Sequence, residues 1–507
     1  MPDAGLAASL LAAPPLRLAW LIALGAAFAL AAVLRVQQAH APLVFDEYAS
    51  LYFSGHPLTD LWGPWMLRET NPPLFYSLLT LWRALVPADA FALRVLPLAI
   101  ALAQIGLVAR FAWQRYGPAA AVLAVLLLAV SVSDIYQSPY LRGYGLARLG
   151  ATISFIGLVT ALEGGTRTRR GWAGFVGGAV LAIHCHTTML LWPPVAVGAV
   201  VLDAALAPGL GWRDMQRAGL AAAASWGLSL WVIVMAALQL HGHTANINWI
   251  EPLDLDDFVS SLNLQLLLGG TTGSLAMLAL AAVGAARTFA QRETRLGLLA
   301  LILAVSAFKA CDAVHPIISD FTLHWAAQFT TLLAAAALAP SPAPTLALRR
   351  WAAPLVRLLT LAGMAALGPW ALANEGYIPR PQDWQSAIRR VAQTPGGAML
   401  VSHESIGVIV QQACMLEYHA PTCPFPLVVM ANPSPTDNWS FGGYRGVITP
   451  PGQVRQALGR ARTVFAFSRY VYTPLAPLGL DPGDYGEVEW DDGELIGPIP
   501  IAHFDKH

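Results

Sequence analysis

The sequence predicts a mainly α-helical, polytopic membrane protein that ends in a small α/β domain. Composition supplies the first reason: of 507 residues, 56% are hydrophobic and only 12% charged, whereas soluble domains carry about 25% charged residues. Mean hydropathy is +0.54. The second is distribution, since apolar runs recur along the chain until about residue 380, where the composition becomes that of a soluble domain. Net charge is zero and no basic block is present, which argues against a nucleic-acid partner.

The first run, 16–36, is long enough to cross about 30 Å of hydrocarbon. No small-residue cleavage pattern follows it, so it reads as an uncleaved anchor. Further runs lie at 72–86, 91–112, 119–133, 146–162, 172–183, 187–206, 218–240, 274–286, 296–310, 322–338 and 352–373. Several are short, and tilted, broken or hairpin helices are expected. Arginines cluster at Arg110/Arg115, Arg167/Arg169/Arg170, Arg213/Arg217, Arg287/Arg292/Arg295 and Arg349/Arg350. Two apolar runs separate each cluster from the next, so all five share one face, which the positive-inside rule makes cytoplasmic. The alternate loops, with Asp46/Glu47, 134–144, 184–186, 241–273 and 311–321, then face the exoplasm, as does everything after Asn374. For the parity to hold, 72–86 must be a half-crossing or surface helix, leaving about eleven true crossings in a range of about 11–13.

Beyond Arg380, 383–391 reads as an amphipathic helix, 398–401 as a buried strand, 405–415 as a helix, and 427–430 and 464–467 as strands, the second preceded by a helix at 454–461. This alternation marks a small α/β unit. The expected domains are 1–374, a transmembrane module with 37–70 as its first exoplasmic loop, and 375–507. No glycine-rich phosphate loop opens a helix of the second, which reads as accessory or acceptor-recognising. Cys414 and Cys423 are expected to pair if this region is exoplasmic. Cys185 and Cys311 read as packing residues.

Asp46 and Glu47 lie in an aromatic setting, Val44-Phe45-Asp46-Glu47-Tyr48, just after the first apolar run. Arg68-Glu69-Thr70-Asn71-Pro72-Pro73-Leu74-Phe75-Tyr76 follows, its Pro-Pro pair turning the chain back toward apolar sequence. A sugar transferase must deprotonate an acceptor hydroxyl as it attacks the anomeric carbon, and a positioned carboxylate suits that task. One carboxylate would serve as base while its neighbour orients sugar hydroxyls. The plainer reading is a solvated acidic pair capping a helix.

Phe45-Asp46-Glu47-Tyr48, Asn71-Pro72-Pro73-Leu74-Phe75-Tyr76-Ser77-Leu78-Leu79, Leu93-Arg94-Val95-Leu96-Pro97 and Ser138-Pro139-Tyr140-Leu141-Arg142-Gly143-Tyr144 occur in an order that resembles glycosyltransferase family 39. That group has the GT-C membrane fold and includes protein O-mannosyltransferases and lipid A aminoarabinose transferases. The resemblance covers roughly the first 200 residues. It implies an inverting transfer from a polyprenyl-phosphate sugar to an envelope lipid, glycan or protein, at the exoplasmic face of a bacterial inner membrane. It implies Asp46 as base, Glu47 as its acidic neighbour and Asn71 as a donor contact. At Ile317-Ile318-Ser319-Asp320-Phe321-Thr322-Leu323-His324 the sequence departs from the family, many of whose members carry an Arg-Tyr pair there.

Other candidates are read from the residues themselves. Arg142, flanked by Tyr140 and Tyr144 at an exoplasmic helix end, has the charge and fork geometry to bind a lipid phosphate; the alternative is snorkelling. Lys309 either assists on that phosphate or pairs with Asp312, within a polar cluster that also holds His315 and Asp320. His184 and His186 are two apart, a spacing that cannot share one helical face, and substrate or acceptor hydrogen bonding is favoured over a metal. Arg68, Glu69 and Tyr76 are further substrate or acceptor candidates. Asp254-Leu255-Asp256-Asp257 reads as a helix N-cap, so no metal or other cofactor is required. Trp62, Trp65 and Trp249 read as interfacial anchors.

Two other classes compete. A secondary transporter would show matching inverted halves and charges at helix middles, and neither is evident. A non-catalytic scaffold or glycan ligase keeps the topology but needs no carboxylate in the first loop.

Overall fold

The computed structural model describes residues 14–242, 250, 252–269, 271–319, 321–340, 383–401, 403–431, 444, 446–467, 489–491 and 501–505. Trp249, Asp320, residues 374–382 and the apolar run 352–373 lie outside them. Apart from single turns, the helices are α1 (Pro14–Ala39), α2 (Phe45–Phe53), α3 (Leu74–Arg83), α4 (Ala90–Tyr116), α5 (Pro118–Val130), α6 (Val132–Gln137), α7 (Tyr144–Leu162), α8 (Thr168–Ile183), α9 (Trp192–Leu206), α10 (Trp212–Leu228), α11 (Leu230–His241), α12 (Leu255–Leu266), α13 (Thr271–Thr288), α14 (Arg292–Asp312), α15 (Ala327–Ala336), α16 (Trp384–Gln393), α17 (Glu404–Tyr418) and α18 (Val454–Leu458).

The protein is mainly helical and crosses a membrane more than once. Among the described residues, five helical stretches are long and apolar enough to do so: Arg17–Ala39, Ala90–Tyr116, Tyr144–Leu162, Thr187–Leu206 and Arg292–Asp312. A sixth forms if α10 and α11, bent by 67° at Ser229, make one span. The expected run at 72–86 holds only the ten-residue α3, too short to cross at 1.5 Å per residue. α5 is short but apolar on every side, and nearly all of it is buried.

Contacts group the chain into two compact units, each discontinuous in sequence. The first comprises Met1–Ala39, Pro97–Met235 and Ile247–Ile378, the second His40–Leu96, Ala236–Asn246 and Pro379–His507. Residues 40–96, which include the first loop, and residues 379–507 fall in the same unit.

In the first unit, α7 and α8 pack so closely that small residues are obligatory. A Cβ on Gly157 would strike the backbone of Phe175, and one on Gly178 that of Ser154. Small residues let helix backbones approach where lipid offers no hydrophobic drive. One end of this unit collects the arginines. Arg115 pairs with Glu163, Arg295 with Asp203 at 2.5 Å, Arg292 donates to the Leu162 carbonyl, and Arg287 donates to those of Ala337 and Ala339. The other end gathers residues 131–144, 184–186, 264–269, 319 and 321–324 through bonds such as Ser133 Oγ to Leu264 O, and Leu323 N to Gln265 Oε1 (both 2.6 Å).

In the second unit the α/β region forms a six-stranded sheet in the order β3-β2-β1-β4-β6-β5, from β1 (Gly397–Val401), β2 (Leu427–Met430), β3 (Ile448–Thr449), β4 (Thr463–Phe467), β5 (Glu489–Asp491) and β6 (Ile501–Asp505). The first four in that order run parallel, with Gly397 opposite Thr463 and Met399 opposite Leu427; β6 and β5 are antiparallel additions. β1 is buried throughout, as a parallel strand covered on both faces must be. Asp383 caps α16, accepting from the Ser386 amide, and α17 packs on both the sheet and α2. Cys414, buried in α17, forms a disulfide with Cys423.

Candidate functional site

The candidate residues fall into two groups, one in each unit. In the second unit, Asp46 and Glu47 occupy the first turn of α2, where the helix dipole favours negative charge. Their surroundings differ sharply. Asp46 is half-buried. Glu47 is wholly buried and clasped by Arg94 of α4, Nε to Oε1 at 2.9 Å and Nη2 to Oε2 at 2.5 Å. Its Oε2 also accepts the Val44 amide at 3.0 Å. Arg94 donates further to the carbonyls of Ala41 and Pro42, so one guanidinium ties the approach to α2 and its first turn together. The next residue, Tyr48, is fully buried, and its hydroxyl has no hydrogen-bond partner among the described residues. Burial, with the charge of Glu47 close by, raises its phenol above the ordinary range.

The Pro-Pro stretch forms a second node. Glu69, 3% exposed, accepts on Oε1 from the Asn71 amide (3.0 Å), the Asn71 side chain (2.7 Å) and the Tyr76 hydroxyl (3.1 Å). Gln239 of α11 donates to the carbonyls of Leu67 and Glu69. Asn71 and Tyr76 are therefore brought together by a buried carboxylate. Arg68 stacks on the Trp65 ring at 4.8 Å, and Trp65 in turn stacks on His56. The exposed Trp62 donates to Ser77 of α3.

In the first unit, Arg142 is 9% exposed in the turn between α6 and α7. The turn lies against the end of α8, where the Cys185 carbonyl leaves no room for a Cβ on Gly143. Rings gather here: Tyr144 lies 4.9 Å from His186, 5.6 Å from Phe321 and 6.2 Å from Tyr140, and Tyr136 stacks on Phe321. His184 ends α8, its Nδ1 bonded to the Val180 carbonyl, whereas His186 opens the next turn. The two rings thus serve different elements. Lys309 is paired with Asp312 at 3.4 Å, bonded to the Leu253 carbonyl, and seated over the Phe258 ring. Asp312 also accepts the amides of Ile317 and Ile318. Asp254 caps α12, accepting from Asp257 N at 2.8 Å. Among the described residues no three His, Cys, Asp or Glu side chains converge as a metal site would require.

Sequence reasoning missed two arrangements. Arg94 stood in a quoted motif without a role, though an arginine in the first turn of an apolar helix demands a partner. A buried cluster in the first unit also escaped it: Asp134 pairs bidentately with Arg148, lies 3.9 Å from Arg35 and 3.6 Å from His324. Arg35 further donates to Ser138 and the Leu128 carbonyl. Arginines inside apolar runs were the available signal; their side-chain partners lie 14 residues away for Arg148–Asp134, 103 for Arg35–Ser138 and 176 for Arg148–His324.

No family model matches the sequence, and no curated protein matches it. Solved structures do. ArnT from Cupriavidus metallidurans in the apo state superposes with a TM-score of 0.63 at 13% identity, over 96% of this chain and 98% of that one. The same protein bound to undecaprenyl phosphate gives 0.61 at 12% identity, over 96% and 98%. An Archaeoglobus fulgidus oligosaccharyltransferase tethered to an acceptor peptide gives 0.51 at 14% identity, over 95% of this chain and 74% of that one. Identity this low speaks to architecture alone, and in architecture the chain has the ArnT-like GT-C fold.

Proposed function

We propose that the protein is an inverting glycosyltransferase that moves a hexose or pentose from a polyprenyl phosphate to an envelope lipid, glycan or protein. The observation that carries this reading is the unequal treatment of two adjacent carboxylates. Glu47 is spent on Arg94 and the Val44 amide, while Asp46 is held one residue away, half-buried, on the turn those bonds fix. Paired carboxylates whose environments differ are the usual way one group is kept structural and the other reactive. Asp46 takes the acceptor hydroxyl proton as the oxygen attacks the anomeric carbon; the bond from that carbon to phosphate oxygen breaks, and polyprenyl phosphate leaves. In this reading Glu47 serves Asp46 by orienting its helix.

In the first unit, Arg142 is assigned to the donor phosphate, whose charge it neutralises without supplying a proton. The GT-C likeness supports a lipid-linked donor, because ArnT from Cupriavidus metallidurans has been solved with undecaprenyl phosphate. In the second unit, Glu69 positions Asn71 and Tyr76 for substrate contact. The exoplasmic face of a bacterial inner membrane is the proposed location, from the arginines gathered at one end of the first unit. No metal is assigned to the reaction.

The test is Asp46→Asn, assayed with radiolabelled polyprenyl-phosphate sugar and a mixed envelope-lipid acceptor in detergent. Loss of a positioned base predicts a fall in turnover of about 10²–10⁴-fold with donor binding retained. Undiminished turnover removes Asp46 from this role.

A further inference from the structure

We propose that the Cys414–Cys423 bond is a redox latch on the helix that carries Asp46. Closing it fixes the last turn of α17, and through α16 and α17 the seat of α2. This rests on the reading of Asp46 as base and adds to it a regulatory element in the C-terminal α/β region.

The seat is built within one compact unit. α2 has nine residues, and isolated helices below about 12–15 residues are marginal, so its place is set by what it packs on. Arg94 holds its first turn. Every residue from Glu47 to Phe53 is buried, and α3 and α17 both pack on the helix. Tyr48, two residues after Asp46, registers the C-terminal pair. Burial first, then the charges of Glu47, of Asp383 at the head of α16 and of Glu417 near the end of α17, raise its phenol.

The pair α16–α17 is joined at the last turn of α17. Glu417 accepts from Arg389 Nε at 2.9 Å and from Gln385 Nε2 at 3.2 Å, and the Tyr418 hydroxyl donates to Ile388 O at 3.5 Å. Two adjacent residues thus supply three ties to α16. Final turns of helices are where local opening begins, and this one carries a further burden. It ends at His419, the one non-glycine residue at positive φ (52°) among the described residues, a left-handed conformation that a side chain adopts at a cost. Cys414 lies three positions before Glu417, a neighbour on the helix surface, and is bonded to Cys423 beyond the turn. The cross-link therefore spans the segment that holds Glu417, Tyr418 and His419. Cut, it lets that segment unwind, release α16 and loosen α2.

The bond is placed to exchange. Cys414 is fully buried, whereas Cys423 is half-buried and reachable. Closing the bond removes two protons and two electrons from the thiols; an exchanging disulfide takes them up and leaves as two thiols. A phosphine such as TCEP reverses the step, giving two electrons to sulfur while its phosphorus is oxidised to phosphine oxide.

The experiment uses the full-length protein in detergent, oxidised, reduced with TCEP and reoxidised, below the melting temperature of the reduced form. Complete reduction is scored by the gain of two reactive thiols. Amide hydrogen exchange in α2 is expected to quicken on the order of ten-fold or more on reduction, a part of what such a cross-link contributes. Exchange in β1 should stay unchanged, which separates a local latch from loss of the whole fold. Transfer from a labelled polyprenyl-phosphate sugar should fall about ten-fold in kcat with the donor KM unmoved, and reoxidation should restore both readings. Glu417→Gln leaves the disulfide intact and should quicken α2 exchange about two- to five-fold, as for a half-exposed ion pair. Unchanged α2 exchange after complete reduction overturns the inference, and so does full turnover by the reduced protein. If α2 exchange answers to redox state but the oxidised protein transfers no sugar, the latch stands and the reading of Asp46 as base fails.

Discussion

Replacing Arg94 by methionine takes from the buried Glu47 carboxylate both guanidinium bonds, at 2.9 and 2.5 Å, and keeps the bond from the Val44 amide. It also frees the carbonyls of Ala41 and Pro42. Both side chains of the pair are almost fully buried, 4% and 0% exposed. Breaking such a pair from one side costs about 3–5 kcal/mol, because the survivor keeps its desolvation cost without its partner. A local opening equilibrium for residues 41–54 should therefore shift by roughly two to four powers of ten. Hydrogen exchange of the amides in α2 reads this directly, and sugar transfer should fall in parallel because Asp46 rides on the same turn. The companion is Glu47→Gln with Arg94→Met. Removing both charges relieves the stranded carboxylate, so the double variant should lose less protection than the sum of the singles, with a coupling of about 2 kcal/mol or more. Unchanged exchange in Arg94→Met, or strict additivity, would refute the claim that this pair holds the catalytic turn.

Reduction of Cys414–Cys423, or the double serine variant, should lower the apparent melting temperature of the detergent-solubilised protein. The bond closes a short loop of sequence separation nine, worth about 2–3 kcal/mol, and protease sensitivity should rise at α17. Protein stability should also fall as pH drops below 6.5. Burial and Arg142 lower His186 to about 3 in the folded state, so between pH 6.5 and 3 the unfolded chain binds a proton that the native one refuses. At pH 5 this amounts to about 2 kcal/mol, and His186→Gln should flatten the profile between pH 7.5 and 5. Chelation by EDTA should leave sugar transfer unchanged, with Asp254 engaged as the cap of α12; loss of transfer would restore Asp254 and Asp256 as a metal site.

Local regularities were legible without coordinates. Asp254 ahead of an amphipathic run reads as a cap, and it caps α12. The strands at 398–401, 427–430 and 464–467 come from short buried runs bounded by turn residues, and they emerge as β1, β2 and β4. Cys414 and Cys423, close in sequence in a polar region, are joined. Less legible was continuity: 218–240 reads as one span, yet the helix turns by 67° at Ser229, a bend that hydropathy cannot register because both halves are equally apolar.

What the sequence by itself determined is the class of solvent each segment requires, the caps and strands that follow from spacing, and the short list of residues whose chemistry stands out. Hydrophobicity and local hydrogen bonding act over a few residues, so they are written in consecutive letters. Tertiary structure alone decided the partnerships. Arg94 reaches Glu47 across 47 positions, Asp134 gathers Arg35, Arg148 and His324, and residues near the N-terminus share a compact unit with the C-terminal sheet. A buried charge must find its counter-charge wherever packing places one, and separation along the chain says nothing about where that is.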